Sequence, residues 1–389
     1  MEWTTVVSSR GPSPRSSHQL SSHGSCVYLF GGENGPLHSH FGYGEPVDPS
    51  VFKLDLAANE RVWEVVAVTG GSAPSPRLGH GQCVVDANVY IFGGRQPADF
   101  AAPYDGKEAI TSLNDAYRFD LSTRRWETLP PLGDVPTVRS YSGMTHHSNG
   151  KIYVFGGMVN NERYSDLYSF DPSTGSWTRL AEGPMEGRGG AGLCASATSL
   201  WVVGGYCGRP VGDVWEYCLD RNEWVEHAAM KLAVPRSIFA CCCVEEDPSD
   251  EVAAAGGVSY ILVFGGELVD ASGNEDAGVY TNETLRIDLS ALGGGGGGGG
   301  GRGEEAAREQ RGECCAVRPR GSSGPPAARG WTSGCLVDYS DGRSPATSRM
   351  KKAFVVFGGI RRCVDEGGAE PAGVRLGDLV MLELPRATT

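Results

Sequence analysis

Six times along the chain a short apolar run ends in a pair of glycines: VYLFGG to Gly32, VYIFGG to Gly94, IYVFGG to Gly157, LWVVGG to Gly205, YILVFGG to Gly266 and AFVVFGG to Gly359. The runs are rich in β-branched and aromatic residues, the make-up of buried strands. Around each run the polar and apolar positions repeat as a unit, most clearly over 139–180. There Arg139-Ser-Tyr-Ser-Gly-Met-Thr-His leads to the turn signal Ser148-Asn-Gly. The strand KIYVFGG follows, then a polar loop, then DLYSFD, where Leu167, Ser169 and Asp171 alternate with Tyr168 and Phe170. PSTGS is a turn, and Trp177-Thr-Arg-Leu180 is a fourth short strand. Four antiparallel strands per unit, repeated six times, predict a radial array of β-blades that carries function on its loops.

The glycine pair has a physical reason. Where a neighbouring blade's backbone or a large side chain comes close, only glycine leaves room. Trp63, Trp126, Trp177 and Trp224 each follow a third strand and supply bulk to pack between blades. The sixth unit lacks a fourth strand, and the chain start, Glu2-Trp3-Thr-Thr-Val-Val7, reads as an orphan fourth strand with its own Trp. Residues 2–7 are therefore expected to complete the last blade and close the ring, which removes exposed edges.

This layout resembles the kelch repeat, down to the glycine pair, the strands Tyr117-Arg-Phe-Asp120 and Tyr168-Ser-Phe-Asp171, and the trailing Trp. The expected fold is all-β, a six-bladed kelch-type β-propeller over 1–389. Its blades span about 15–69, 77–130, 139–181, 188–228, 236–320 and 329–386 plus 1–7. Two insertions interrupt it. Residues 246–257 lengthen a hairpin of blade 5. Residues 291–327 hold nine consecutive glycines and are expected to be a disordered surface loop, with Cys314-Cys-Ala-Val317 a candidate fourth strand inside it.

Composition narrows the function classes. A net charge of −13 argues against nucleic acid or an anionic membrane as partner, since either wants a basic field. No run of about 18 apolar residues offers a membrane span, and the start, MEWTTVVSSRGPSPR, lacks the layout of a signal peptide. The twelve cysteines show no C-x-x-C pair; Cys241 to Cys243 are consecutive, as are Cys314 and Cys315. Neighbouring residues alternate faces on a strand, which suits neither a disulfide framework nor a zinc site. Reduced thiols acting as small apolar filler are expected, in a monomeric, cytoplasmic protein, the nucleus remaining a second compartment.

Two sets of residues fall on one face of the disc, where the chain enters each first strand and leaves each glycine pair. The first set is Arg15, Arg77, Arg139, Arg188, Arg236 and Arg329, one before each first strand. They suggest a basic ring at the channel mouth, since the guanidinium fork suits sulfate, phosphate and carboxylate. A structural role is the alternative: each Arg bonds loop carbonyls of the adjacent blade and holds the blades in register. The second set is the loops 33–50, 95–113, 158–165, 206–212, 267–282 and 360–376, whose uneven lengths suit a binding surface. The first loop holds His38, His40, Phe41 and Tyr43; the H-x-H pair could bind metal, but a solvated pair is the simpler reading.

The run GRGGAGL (187–193), WVVGGY (201–206), PRSIFA (235–240), VFGGE (263–267) and RGWTS (329–333) is similar to the nitrile-specifier and thiocyanate-forming kelch proteins of mustard-family plants. The resemblance implies an iron(II) site on an E-x-x-x-D-x-x-x-H motif after the fifth glycine pair. Glu267 matches the first ligand. Ala271 takes the second position, beside Asp270, and Glu275 stands where His is expected. It also implies that Arg77 and Arg139 hold a sulfated substrate, with Trp331 an aromatic at the rim. Carboxylates at 267, 270 and 275 suit Fe(II) or another divalent cation, yet the missing His departs from the motif. The first reading is thus a binding module whose mouth takes a protein segment or a small anion, with no firm cofactor. The alternative is a specifier-like, metal-dependent lyase or isomerase acting on a sulfated small molecule.

Overall fold

A computed structural model describes residues 1–6, 8, 10–38, 43–47, 49–96, 111–245, 259–269, 279–289, 314–317, 324–340, 350–362 and 373–385. The apolar runs become the second strand of each of six sheets, each built on four antiparallel strands; in blade 3 the short strand Leu132–Gly133 adds in parallel outside the fourth. Blade 1 is Gln19–His23, Cys26–Phe30, Phe52–Asp55 and Glu64–Val65. Blade 2 is Gly81–Val85, Asn88–Gln96, Thr111–Asp120 and Arg125–Leu129. Blade 3 is Gly143–His146, Ile152–Phe155, Leu167–Asp171 and Ser176–Arg179. Blade 4 is Gly192–Ala195, Ser199–Tyr206, Pro210–Cys218 and Glu223–Glu226. Blade 5 takes Cys314–Ala316 as its outer strand, outside Ala240–Glu245, Ser259–Phe264 and Thr284–Asp288. Most of both insertions lies outside the described residues.

The ring closes as the orphan strand predicts. Glu2–Val6 pairs antiparallel with Leu379–Glu383 and completes blade 6, whose inner strands are Ser333–Tyr339 and Lys351–Phe357. At the seam between last and first blades, Leu20 N–H donates to Ser333 Oγ at 3.0 Å and Ser22 Oγ donates to the Leu336 carbonyl at 2.6 Å.

The core lies between the blades. Each outer-strand Trp packs on the Phe that precedes the glycine pair of the blade before it. Ring centroids are 5.6 Å apart for Trp126 and Phe30, 4.9 Å for Trp177 and Phe92, and 5.6 Å for Trp224 and Phe155. Trp63 meets Phe357 at 5.6 Å, and Trp3 meets Phe264 at 4.6 Å. An offset or tilted aromatic pair adds about 0.5–1.5 kcal/mol beyond its buried area. The seam between blades 4 and 5 has no such clasp. Val203 stands in the Phe position, and the seam is packed by Trp201, Met230, Leu232, Ile261 and Ile287 together with Cys194, Cys241, Cys243 and Cys314.

Gly93 and Gly94 show why the pair must be glycine. Gly93 has φ +61°, and a Cβ there would sit 2.8 Å from the Arg139 carbonyl oxygen of blade 3. Gly94 (φ +93°) donates its N–H to that same carbonyl at 2.9 Å. Left-handed backbone and a neighbour's carbonyl together exclude any side chain.

Candidate functional site

The arginines that precede the six first strands are buried, and all of them are 3% exposed or less. Each guanidinium works inside its own blade. Nε donates to the carbonyl two residues back, and Nη1 donates to the carbonyl of the first glycine of its pair. Those glycine oxygens are Gly31, Gly93, Gly156, Gly204, Gly265 and Gly358, at 2.9–3.2 Å. In five blades an acid five residues before the end of the third strand completes the clasp. Asp115, Asp166, Asp213 and Asp378 take two hydrogen bonds each, and Glu283 takes one from Arg236 at 2.6 Å. Burial would raise the Asp213 pKa, but the bonds and charge of Arg188 outweigh it and hold the carboxyl below its usual value.

These contacts correct the expectation of a basic ring at the mouth. Arg15, Arg77, Arg139, Arg188, Arg236 and Arg329 form six separate clasps rather than one anion site. The backbone carbonyl of each also accepts the N–H of the second glycine of the preceding blade, from Gly32 N–H to Arg77 O through to Gly359 N–H to Arg15 O. One arginine thus ties two consecutive glycine pairs together.

Two residues beyond each arginine the backbone turns left-handed. Ser17, Gly79, Tyr141, Gly190, Ile238 and Trp331 have φ between 51° and 60°. Each donates its N–H to the carbonyl of the equivalent residue in the preceding blade, and Ser17 N–H to Trp331 O closes the circle; the six bonds are 2.6–3.0 Å long. Tyr141 and Trp331 belong to opposite blades, yet their rings meet edge to face at 5.6 Å. This annulus roofs a channel of about 400 Å³ lined by the first strands.

The rim of the roof is the residue after each glycine pair. Glu33, Arg95, Met158, Tyr206, Glu267 and Ile360 bridge back to Ser16, Leu78, Ser140, Gly189, Ser237 and Gly330. Arg95 lies over the Tyr141 ring at 5.1 Å and donates to its hydroxyl at 3.1 Å. The buried Glu33 accepts from Ser17 Oγ at 3.0 Å and faces Arg375 at 3.7 Å, while Arg375 Nε donates to Ser16 Oγ at 2.9 Å. Burial lowers the Arg375 pKa, and the Glu33 carboxylate opposes it. Trp331 Nε1 donates to Glu267 Oε2 at 3.1 Å. That bond joins Trp331 of the annulus to Glu267 of the rim.

Asp270 and Glu275, the other candidate metal ligands, lie outside the described residues. Among the described residues no group of three His, Cys, Asp or Glu side chains is arranged to hold a metal ion. The side chains of His38, His40, Phe41 and Tyr43 are likewise outside the described set. Short hairpins rise from the rim at Met158–Val159 with Glu162–Arg163, and at Glu267–Leu268 with Val279–Tyr280.

The family model described as the KLHDC2/KLHL20/DRC7 kelch-repeats domain matches residues 17–257. The chain belongs to the kelch-repeat family. A kelch relative from Thlaspi arvense, N-(sulfonatooxy)prop-2-enimidothioate sulfolyase, is 26% identical over 75% of this chain and 82% of its own length. Kelch domain-containing protein 10 of Homo sapiens is 26% identical over 59% of the chain; the match spans about half of that relative, 49%. The solved structure titled "Structure of YjhT" superposes with a TM-score of 0.59 at 17% identity, covering 95% of both chains, which supports the propeller fold.

Arg95, Arg375 and Glu33 are the rim residues that sequence reading did not single out. The position after the glycine pair could have found two of them. It carries five residue types in six blades, Glu recurring at 33 and 267, and such variation suits a binding surface.

Proposed function

We propose that this kelch propeller is a binding module whose loop-bearing mouth receives a protein segment or a small anionic ligand. The observation that carries the reading is the cross-mouth cluster of Arg95, Tyr141, Trp331 and Glu267, set on a hydrogen-bonded roof. Four blades contribute to it, so its geometry is fixed by the whole ring rather than by one loop. Arginine stacked on tyrosine keeps its planar fork oriented for a carboxylate, sulfate or phosphate. A cytoplasmic setting and a monomeric chain belong to the same reading.

The test compares affinity capture by the wild-type protein and by Arg95→Gln, with Arg118→Gln on an exposed outer strand as the charge control. Arg95→Gln, shown by its circular dichroism and a cooperative melt to be folded, should lose the partners that Arg118→Gln keeps. An unchanged partner set for Arg95→Gln overturns the mouth as the interface.

The similarity to the Thlaspi sulfolyase favours a second reading, a metal-dependent lyase or isomerase on a sulfated small molecule. Here Glu267, with Asp270 and Glu275, would hold Fe(II) or another divalent cation, which supplies a Lewis-acid or redox centre when bound. Arg95 and Trp331 would meet the anion, because Arg77 and Arg139 are committed to their clasps. Stoichiometric iron by elemental analysis after anaerobic loading, lost in Glu267→Ala, supports this reading. A metal-free wild-type protein under the same loading sinks it.

A further inference from the structure

The inner strands of neighbouring blades mesh by one rule. A small side chain six residues beyond a blade's arginine inserts toward the inner strand of the next blade. Ser21 of blade 1 accepts from Gln82 Nε2 of blade 2 at 2.7 Å, and Cys335 of blade 6 packs against the cluster that joins blade 6 to blade 1. In blade 4 this position is Cys194, and the side chains flanking it are both thiols. Cys194 packs with Cys241 and Cys243 of blade 5 in the cluster that joins the two blades.

Cys241 and Cys243 are two apart on the strand Ala240–Glu245 and so share a face. Cys242 between them points the other way, into the cluster with Val244 and Phe354. The Sγ of Cys241 reaches fully to blade 4: a Cβ on Gly192 would lie 2.7 Å from it. Cys241 and Cys243 are half-buried, Cys194 is buried, and all three line the central channel. They lie in the seam between blades 4 and 5, where the Phe–Trp clasp is absent and Val203 stands in the Phe position.

We propose that Cys194, Cys241 and Cys243 form an oxidation site, in which a peroxide in the channel generates a disulfide that staples blade 4 to blade 5. Hydrogen peroxide oxidises the Cys241 or Cys243 thiolate to a sulfenic acid: an S–O bond forms, the O–O bond breaks, and hydroxide leaves. The Cys194 sulfur then attacks the sulfenic sulfur. The S–S bond forms, the S–O bond breaks, and the hydroxyl departs with the Cys194 proton as water. Two thiols and one peroxide thus give one disulfide and two waters. The roles are set by placement: Cys241 and Cys243 are half-buried and the more open to a peroxide in the channel, whereas Cys194 is buried behind them as the partner thiol.

The experiment treats the reduced full chain with hydrogen peroxide, blocks remaining thiols and maps the unreduced digest by tandem mass spectrometry. The expected product links Cys194 to Cys241 or Cys243. It persists in Cys242→Ser and Cys207→Ser and vanishes in Cys194→Ser, where sulfinic acid builds up at Cys241 or Cys243 instead. The linked wild-type protein should melt higher than the reduced one and return to the lower midpoint with dithiothreitol. The proposal is overturned if Cys194 remains free while Cys241 or Cys243 is consumed or joined to another cysteine. It is equally overturned if no thiol of the three reacts. The wild-type map decides even should Cys194→Ser fail to fold.

Discussion

The backbone carbonyl of Arg77 accepts the N–H of Gly32 at 2.9 Å, across the seam from blade 1 to blade 2. The side chain of the same arginine donates to Gly93 and Asp115 in its own blade. Repeated six times, this contact turns a stack of separate sheets into a hoop. It also explains why arginine recurs in an otherwise acidic chain: a residue is needed there that can reach a carbonyl and a carboxylate at once.

The glycines of the hoop should be the least replaceable residues of their type. Gly24 has φ +56° and open space around it, so Gly24→Ala should cost only the left-handed backbone term, about 1–2 kcal/mol. Gly93, at a similar φ, has the Arg139 carbonyl 2.8 Å from the place a Cβ would take. Gly93→Ala should cost clearly more than Gly24→Ala in urea or thermal unfolding. Equal losses would mean the seam relaxes freely.

The clasp of Arg139 and Asp166 should outweigh any surface pair. Both side chains are buried, and two hydrogen bonds of 2.6 and 3.0 Å join them. Removing one partner strands the other, so Arg139→Met should lose about 3–5 kcal/mol. The exposed pair of Arg118 and Glu127 should give less than about 1 kcal/mol on Arg118→Met. Comparable losses by denaturant titration would refute the clasp as a keystone.

Stability should fall with acid because of two histidines. His18 and His80 are fully buried against Phe357 and Phe30, and their ring nitrogens lack a well-aligned hydrogen bond. Burial, then the positive charges of Arg15 and Arg77, lowers each pKa from 6.5 to about 3; pulls from the Phe357 carbonyl and the Gln82 side chain do not offset it. Unfolded, both rings take up a proton below pH 6.5; folded, they resist it until about pH 3. Their stabilising effect is therefore complete above pH 6.5 and is lost as pH falls between those limits. Each ring contributes a slope of up to about 1.4 kcal/mol per pH unit. His80→Leu should flatten the acid limb of stability against pH by one ring's share. An unchanged limb would show that His80 is not buried neutral.

The fold was legible because its signals repeat. The glycine pairs, the Trp63, Trp126, Trp177 and Trp224 series and the orphan strand at Glu2–Val6 each mark a packing need that recurs around the ring. The arginines were legible in position but not in role. Their acids stand at matching places, five residues before the end of each third strand from Asp115 to Asp378, yet a sequence pattern does not say which side chains a turn brings together. The left-handed turn was harder still. Gly79 and Gly190 betray it, but Tyr141, Ile238 and Trp331 adopt it against their own preference, because the ring of hydrogen bonds overrides it. The rim was hidden for the opposite reason: a position that carries five residue types in six blades leaves no period to detect.

The roof over the channel makes the propeller a cup rather than a tube. Whatever docks against Arg95 and Trp331 rests on the outside of the cup's base, while the thiols of blades 4 and 5 face its interior. Diffusion between the two would have to pass the closed annulus and the paired rings of Tyr141 and Trp331. On the two proposals above, a ligand at the rim and a peroxide in the channel would stand on opposite faces of the annulus, and neither would have to pass the other.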